Sequence, residues 1–382
     1  MAIPEGTTEL IVRLTNPATE GMNMANRVEN EVAIISLASA ALDNFQPHVV
    51  PRVYGWGSAT GKSRGWIMQE LMPGSPLVDS FENMQLDQKK KVFVQMAALL
   101  KGLQSYKLPE SITGFGGVTF DDAGRIVSAP MPTVGAGPWL SYEAHFKGRL
   151  EVALRKATDN EYIQGWEAQR LARTSRQVRC RGRARAIPGF GLQGREGGDT
   201  RRFQYGCKTD PLHFDIRYLP LSTISDASNL LFDPASGRIT GLIDYDFATI
   251  LHPSYEFLRS FSGAGGQFRG WYVDEEGDEA ALRNAKLHGF PSPLPATKAD
   301  DGAVNWEEAK AWEDALREAG TKRPQTIHGI DRVADVDTVL QAILPWRVTN
   351  SDVLKLQTHE TIVKCRNDNE EHLYKLLSRL GF

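Results

Sequence analysis

Residues 213–248 read HFDIRYLPLSTISDASNLLFDPASGRITGLIDYDFA. Two apolar runs within this stretch, Asn229 to Phe232 and Ile239 to Ile243, are joined by Asp233-Pro-Ala-Ser-Gly-Arg238. Short apolar runs on either side of an Asp-Pro and Ser-Gly cluster predict a β-hairpin. A hairpin brings its open ends together, so Asn229 at the start and Asp244 at the exit are expected to be neighbours. His213 and Asp215 lie just upstream, and the four polar side chains are expected to converge near one hairpin mouth. Such a set meets the needs of phosphoryl transfer. One carboxylate accepts the proton of an attacking hydroxyl, while an amide and a second carboxylate hold Mg2+ on the phosphates.

Taken singly, these residues read better as ordinary turn and capping groups, since a lone His-x-Asp is too short a match to carry a function. The ordered set is more specific. His-x-Asp, then Asn, then Ile-Asp-x-Asp after a hairpin resembles the aminoglycoside phosphotransferase and choline kinase group of the protein-kinase-like fold, above all its poorly characterised branch typical of filamentous fungi. The resemblance implies a two-lobed α+β fold with a shortened N-lobe sheet and a large, mostly helical C-lobe. It also implies that Asp215 is the catalytic base, that Asn229 and Asp244 are Mg2+ ligands, and that His213 supports the catalytic loop. The chain departs from the family at one place. The family has its Asn five residues after the catalytic Asp, whereas Asp215 and Asn229 are fourteen apart, so nine extra residues within Ile216 to Ser225 interrupt the loop.

A chain of 382 residues exceeds a typical single core, so two lobes or domains are expected. A net charge of −3 makes no global case for nucleic acid or membrane. No run of eighteen apolar residues occurs, and the start MAIPEGTTEL lacks the apolar core of a signal peptide. Cys180, Cys207 and Cys365 are odd in number and widely spaced, which points to reduced thiols in a cytoplasmic setting rather than a disulfide framework or a zinc site.

The N-terminal third alternates in type. Glu9 to Leu14 reads as a strand, and Met24 to Leu42 as a helix with Val28, Val32, Ile35 and Leu42 on one face. By the resemblance, Arg13 on the strand contacts phosphates and pairs with Glu31 of the helix; two unrelated surface charges are the alternative. Twelve residues before Arg13 cannot hold the two strands and phosphate-covering loop of the family. Either a preceding segment is missing or nucleotide binds poorly or not at all. Two antiparallel strands, Val49 to Gly55 and Gly65 to Leu71, follow around a polar loop. That loop contains Gly57-Ser-Ala-Thr-Gly-Lys-Ser63, one residue short of a P-loop and leading into a strand, so the helix N-terminus that makes a P-loop work is lacking. The resemblance makes Met68 to Gly74 the hinge, with backbone groups around Glu70 and Met72 bonding the adenine edge of ATP.

Leu86 to Tyr106 has helical spacing, and its Lys89-Lys-Lys91 run is expected on a solvated face. A second hairpin, Gly114 to Phe120 with Arg125 to Val127, and a helix over Trp139 to Lys156 come next. From Arg170 to Arg202 the composition shifts to ten arginines and six glycines against two acids, Glu196 and Asp199. An RNA-binding arm would look like this, but aromatic residues are nearly absent, so nucleic acid is not the expected partner. With the nine-residue insert, a misread exon boundary explains the segment better. Asp246 is expected to brace the catalytic loop, and His252 to be a loop histidine rather than a metal ligand. Helices are expected over Asn305 to Ala319, Ala334 to Leu344 and Asn350 to Leu380, with Glu307, Glu308, Glu313 and Glu318 as an acidic wall suited to a cationic substrate.

The sequence thus predicts a partial N-lobe over 1–72 and a C-lobe over 73–382 that contains the atypical segment 170–211. The expected activity is ATP- and Mg2+-dependent transfer of a phosphoryl group to a hydroxyl of a small molecule. A catalytically inactive kinase-like protein, or a defective gene product lacking the phosphate loop, is the alternative.

Overall fold

The chain's β-branched and apolar runs become short antiparallel strands packed on one buried helix. In the computed structural model, residues 3, 9–16, 25–59, 64–163, 227–260, 266–271, 277–296 and 304–381 are described. Strands β1 (Leu10–Leu14), β2 (Val53–Gly57) and β3 (Trp66–Glu70) form a sheet of order β1-β3-β2. Alternation along β1 exposes Leu10, Val12 and Leu14 and turns Ile11 and Arg13 inward. Helix α1 (Arg27–Ala41) is buried around most of its circumference, with Val28 and Val32 packed on Ile67 of β3. It begins three residues later than its apolar spacing suggests, where the Asn26 carbonyl accepts the Asn30 N–H at 2.9 Å.

The predicted hairpin forms as β7 (Leu230–Asp233) and β8 (Arg238–Leu242), with a bulge between Leu231 and Phe232. A two-residue strand β4 (Ser75–Pro76) pairs with β7 to give the order β4-β7-β8. The Leu77 N–H donates to the Leu230 carbonyl and the Leu242 N–H to the Val49 carbonyl, both at 2.7 Å. The hairpin is therefore stitched to the chain just before β2 and just after β3 and β4. Gly241 permits this closeness: a Cβ there would lie 3.1 Å from Met72 Cβ. The second predicted hairpin is β5 (Gly117–Phe120) with β6 (Ile126–Ala129).

Helices dominate the remainder: α2 (Val78–Phe81), α3 (Leu86–Ser105), α4 (Tyr142–Asp159), α5 (Ser254–Leu258), α6 (Asp278–His288), α7 (Trp306–Glu318) and α8 (Ile330–Ile343). The expected α+β class, with small sheets towards the N-terminus and a larger helical part after them, is observed. Three expectations are corrected. Lys89 is buried rather than solvated, because its Nζ reaches Glu308 Oε1 at 2.7 Å where α3 packs on α7; Lys90 and Lys91 do face solvent. Glu308 is thereby neutralised and Glu313 is paired with Arg323 at 2.6 Å, so these two do not form an open acidic wall. The helix expected over Asn350 to Leu380 breaks into α10 (Ser351–Lys355) and α11 (His359–Arg379), since Thr358 caps a new helix by accepting the Thr361 N–H. The short α9 (Trp346–Thr349) precedes them.

The protein falls into two compact units, Met1–Arg149 with Arg217–Asp337, and Leu150–Ile216 with Thr338–Phe382. The expected boundary at 72–73 lies inside the first. In the second, Asn160 Nδ2 donates to the Val348 carbonyl at 3.4 Å and Arg366 Nε to the Tyr162 carbonyl at 3.3 Å. The Arg- and Gly-rich segment and the insert lie outside the described residues. Among the described residues no helix is long and apolar enough to cross a membrane.

Candidate active site

The open end of the β7–β8 hairpin brings Asn229 and Asp244 together. Asn229 closes a single 3-10 turn (Ala227–Asn229), and its carbonyl accepts the Ile243 N–H at 2.9 Å, one residue before Asp244. Asp244 has φ +62°, the only left-handed non-glycine among the described residues. Asp tolerates that region better than most residues, yet the conformation costs energy and must be held by its surroundings. Its side chain is exposed. An amide and a carboxylate at one mouth are hard oxygen donors and fit Mg2+, which keeps several waters and takes the rest of its shell from phosphates. No group of three or more His, Cys, Asp or Glu suited to a metal ion occurs among the described residues. His213 and Asp215 lie outside them.

Behind the mouth lies a four-residue ion network. Arg13 Nη1 is paired with Glu31 Oε1, so these are not two independent surface charges. Burial pushes the Glu31 carboxyl up, to about 8, against the opposing pull of Arg13. Arg13 Nη2 also lies 3.8 Å from Asp246 Oδ2. Arg27, which the sequence reading did not single out, forks onto Asp246: Nε donates to Oδ1 at 2.9 Å and Nη2 to Oδ2. Burial alone would raise the Asp246 carboxyl, but this fork and the charges of Arg27 and Arg13 hold it below its ordinary value. A signal for Arg27 did exist. Arg27, Asn30 and Glu31 stand at i, i+3 and i+4 of a helix that is otherwise largely apolar, so all three share a buried face.

Glu70, expected to lie at a hinge, is held by its neighbours. Its N–H donates to the Arg52 carbonyl at 2.8 Å, and its carboxylate meets His48 Nε2 at 2.9 Å and the Arg52 N–H at 3.2 Å. Met72 is buried against the hairpin, and Gln69 is buried with its Oε1 unpartnered among the described residues. His252 is a core residue: Nδ1 meets Ser254 Oγ at 2.9 Å and the ring stacks on Tyr142 with centroids 4.9 Å apart.

No protein-family model and no curated protein matches the chain. Among solved structures it is similar to ADP-bound aminoglycoside phosphotransferase APH(2'')-Ib, at 12% identity over 96% of this chain and 94% of that one, with a TM-score of 0.47. It is also similar to the gentamicin complex of APH(2'')-IIa, at 13% identity over 93% and 87% with a TM-score of 0.45. A third is a thermostable mutant of APH(4)-Ia with ADP and hygromycin B, at 12% identity over 90% and 83% with a TM-score of 0.42. With every score below 0.5, the residues of this chain, and not the likeness, carry the reading of its function.

Proposed function

We propose that this chain is a phosphotransferase that moves the γ-phosphoryl group of ATP to a hydroxyl of a small molecule, in the cytoplasm. The observation that supports it most is the juxtaposition of Arg13, paired with Glu31, with the hairpin end bearing Asn229 and Asp244. A cationic side chain held beside oxygen donors is what an ATP phosphate tail needs. Asn229 and Asp244 would hold Mg2+, whose charge neutralises phosphate oxygens during transfer. Arg13, oriented by Glu31, would grip phosphate oxygens with its planar fork. Asp215 would take the proton of the acceptor hydroxyl, with His213 supporting its loop. The Glu70 carbonyl and the Met72 backbone would hold the adenine edge. The fourteen-residue spacing from Asp215 to Asn229 favours a second reading, a kinase-like protein that binds nucleotide without transferring phosphate.

Thermal shift with ATP, with and without Mg2+, tests the first reading, because a ligand that binds only the folded state raises its melting temperature. Mg2+ should enlarge the ATP shift of the wild type, and Asp244→Ala should lose that enlargement. A cooperative melt indifferent to both ligands would overturn the proposal. Slow ATP hydrolysis by the wild type, lost in Asp215→Asn while the Mg2+-dependent shift persists, separates transfer from binding alone.

A further inference from the structure

Asp244-Tyr-Asp246 carries two carboxylates, and on composition either could meet a metal ion. Their surroundings differ. Asp244 is exposed, whereas Asp246 is 8% exposed and has both oxygens taken by the guanidinium of Arg27, itself 7% exposed. We propose that Arg27 is a positioning residue for Asp244, acting through Asp246, and that Asp246 is a tether rather than a metal ligand. This inference rests on the phosphotransferase reading and names a further residue of the same site.

Three observations support it. A two-bond guanidinium–carboxylate fork fixes orientation as well as distance, which a point charge cannot do. Arg27 also donates from Nη1 to the Asn16 carbonyl at 3.4 Å, so one side chain ties the end of β1, the start of α1 and the loop after β8. Finally, the left-handed backbone of Asp244 is bracketed. The Asn229–Ile243 bond precedes it, the Arg27 fork follows two residues later, and Asn30 Nδ2 holds the Ala248 carbonyl at 2.9 Å. Both later anchors come from α1. Loss of Arg27 would leave buried Asp246 with only the longer 3.8 Å contact to Arg13 as an ion pair, and the loop would shift to solvate it, carrying Asp244 off the hairpin mouth.

The experiment is calorimetric titration of ATP into wild type, Arg27→Met, Arg27→Lys and Asp246→Asn, in EDTA and in Mg2+, with Mn2+ occupancy read by electron paramagnetic resonance in the presence of ATP. The metal-dependent gain in ATP affinity should fall at least tenfold in Arg27→Met, while metal-free affinity stays within about twofold. Arg27→Lys should be intermediate, since one ammonium cannot hold both oxygens. Mn2+ occupancy should fall in the same order. Full metal dependence in Arg27→Met overturns the inference, as does an equal loss with and without metal, which would mark general damage or direct phosphate binding by Arg27. If Arg27→Met does not melt cooperatively, Arg27→Lys decides alone, and a wild-type metal gain there overturns the inference. Loss of the metal gain in Asp246→Asn with Arg27→Met intact would make Asp246 a ligand instead. A wild type with no metal-dependent ATP binding removes the phosphotransferase reading itself, a result distinct from failure of the tether alone.

Discussion

Replacing Lys89 with Met should destabilise the protein by about 3 kcal/mol or more, although Lys89 opens a run of three lysines. The side chains of Lys89 and Glu308 are 7% and 12% exposed, and their charged atoms lie 2.7 Å apart. Met preserves most of the stem volume, so the loss is not a cavity effect. What remains is a Glu308 carboxylate buried without its partner, which typically costs about 3–5 kcal/mol. The Lys89 ammonium also sits 5.1 Å from the Phe81 ring centroid, a contact worth a further ~0.5–1 kcal/mol. The exposed neighbour supplies the control, since Lys90→Met should change stability by less than about 0.5 kcal/mol. Adding Glu308→Leu to Lys89→Met should restore most of the loss, because well-packed apolar pairs replace buried ion pairs at little or no cost. Urea unfolding of the wild type and the three variants, compared through midpoint and slope, measures each step. Indistinguishable midpoints for Lys89→Met and Lys90→Met would refute the reasoning, as would a double variant no better than Lys89→Met.

Two other changes follow from the same geometry. Gly74→Ala should cost more than about 2 kcal/mol, since φ is +108° and the new Cβ would lie 2.5 Å from Thr240 Oγ1 and 2.9 Å from the Phe232 carbonyl oxygen; Gly124→Ala, at φ +75° with open space, should cost about 1 kcal/mol, and equal urea midpoints would contradict this. His145 is fully buried against Trp139, Tyr142 and Phe146, neither ring nitrogen has a hydrogen-bond partner among the described residues, and burial, with the charge of Arg149, holds its pKa well below the ordinary value. The unfolded chain then binds the proton that the fold refuses, so stability falls as pH drops below about 6.5, with a slope approaching ~1.4 kcal/mol per pH unit. His145→Phe should flatten that slope between pH 6.5 and 5, and an unchanged slope in urea midpoints would exclude His145 as its source.

Much of this arrangement was legible in the sequence wherever local pattern sufficed. Both hairpins announce themselves through turn residues between apolar runs, and α1 and α3 through their spacing. The neighbourhood of Asn229 and Asp244 followed from hairpin closure alone. What escaped the sequence depends on contacts between distant segments. Lys89 looks solvated until α7 is laid against α3, because burial of a charge is decided by the partner that neutralises it. Helix α6 escaped because it buries little beyond Leu282, Ala285 and Lys286, too short a stripe to produce a clear period. The break between α10 and α11 is set by one capping threonine inside a stretch of good helix formers, where propensity alone would continue.

The same limit explains why Asp246 could be named as a brace without its partner being found. A helix can serve several elements at once when its polar residues are spaced so that each points from one turn towards a different neighbour. On α1, Glu31 reaches Arg13 of β1, Asn30 joins the Val118 N–H of β5 to the Ala248 carbonyl, and Arg27 holds Asp246, while Val28 and Val32 fill the apolar side against β3. Each of these polar groups is hydrogen-bonded or ion-paired, which offsets much of the cost of burying it; stripped of its partner, any of them would cost more. By the tether proposed above, the position of Asp244 is set not by the hairpin alone but also by a helix some two hundred residues earlier in the chain. It follows that any shift of α1 should move Arg13, the proposed phosphate contact, and the loop of Asp244 together. Binding of a nucleotide to one and of metal to the other should accordingly be coupled, each tightening the other by the same factor.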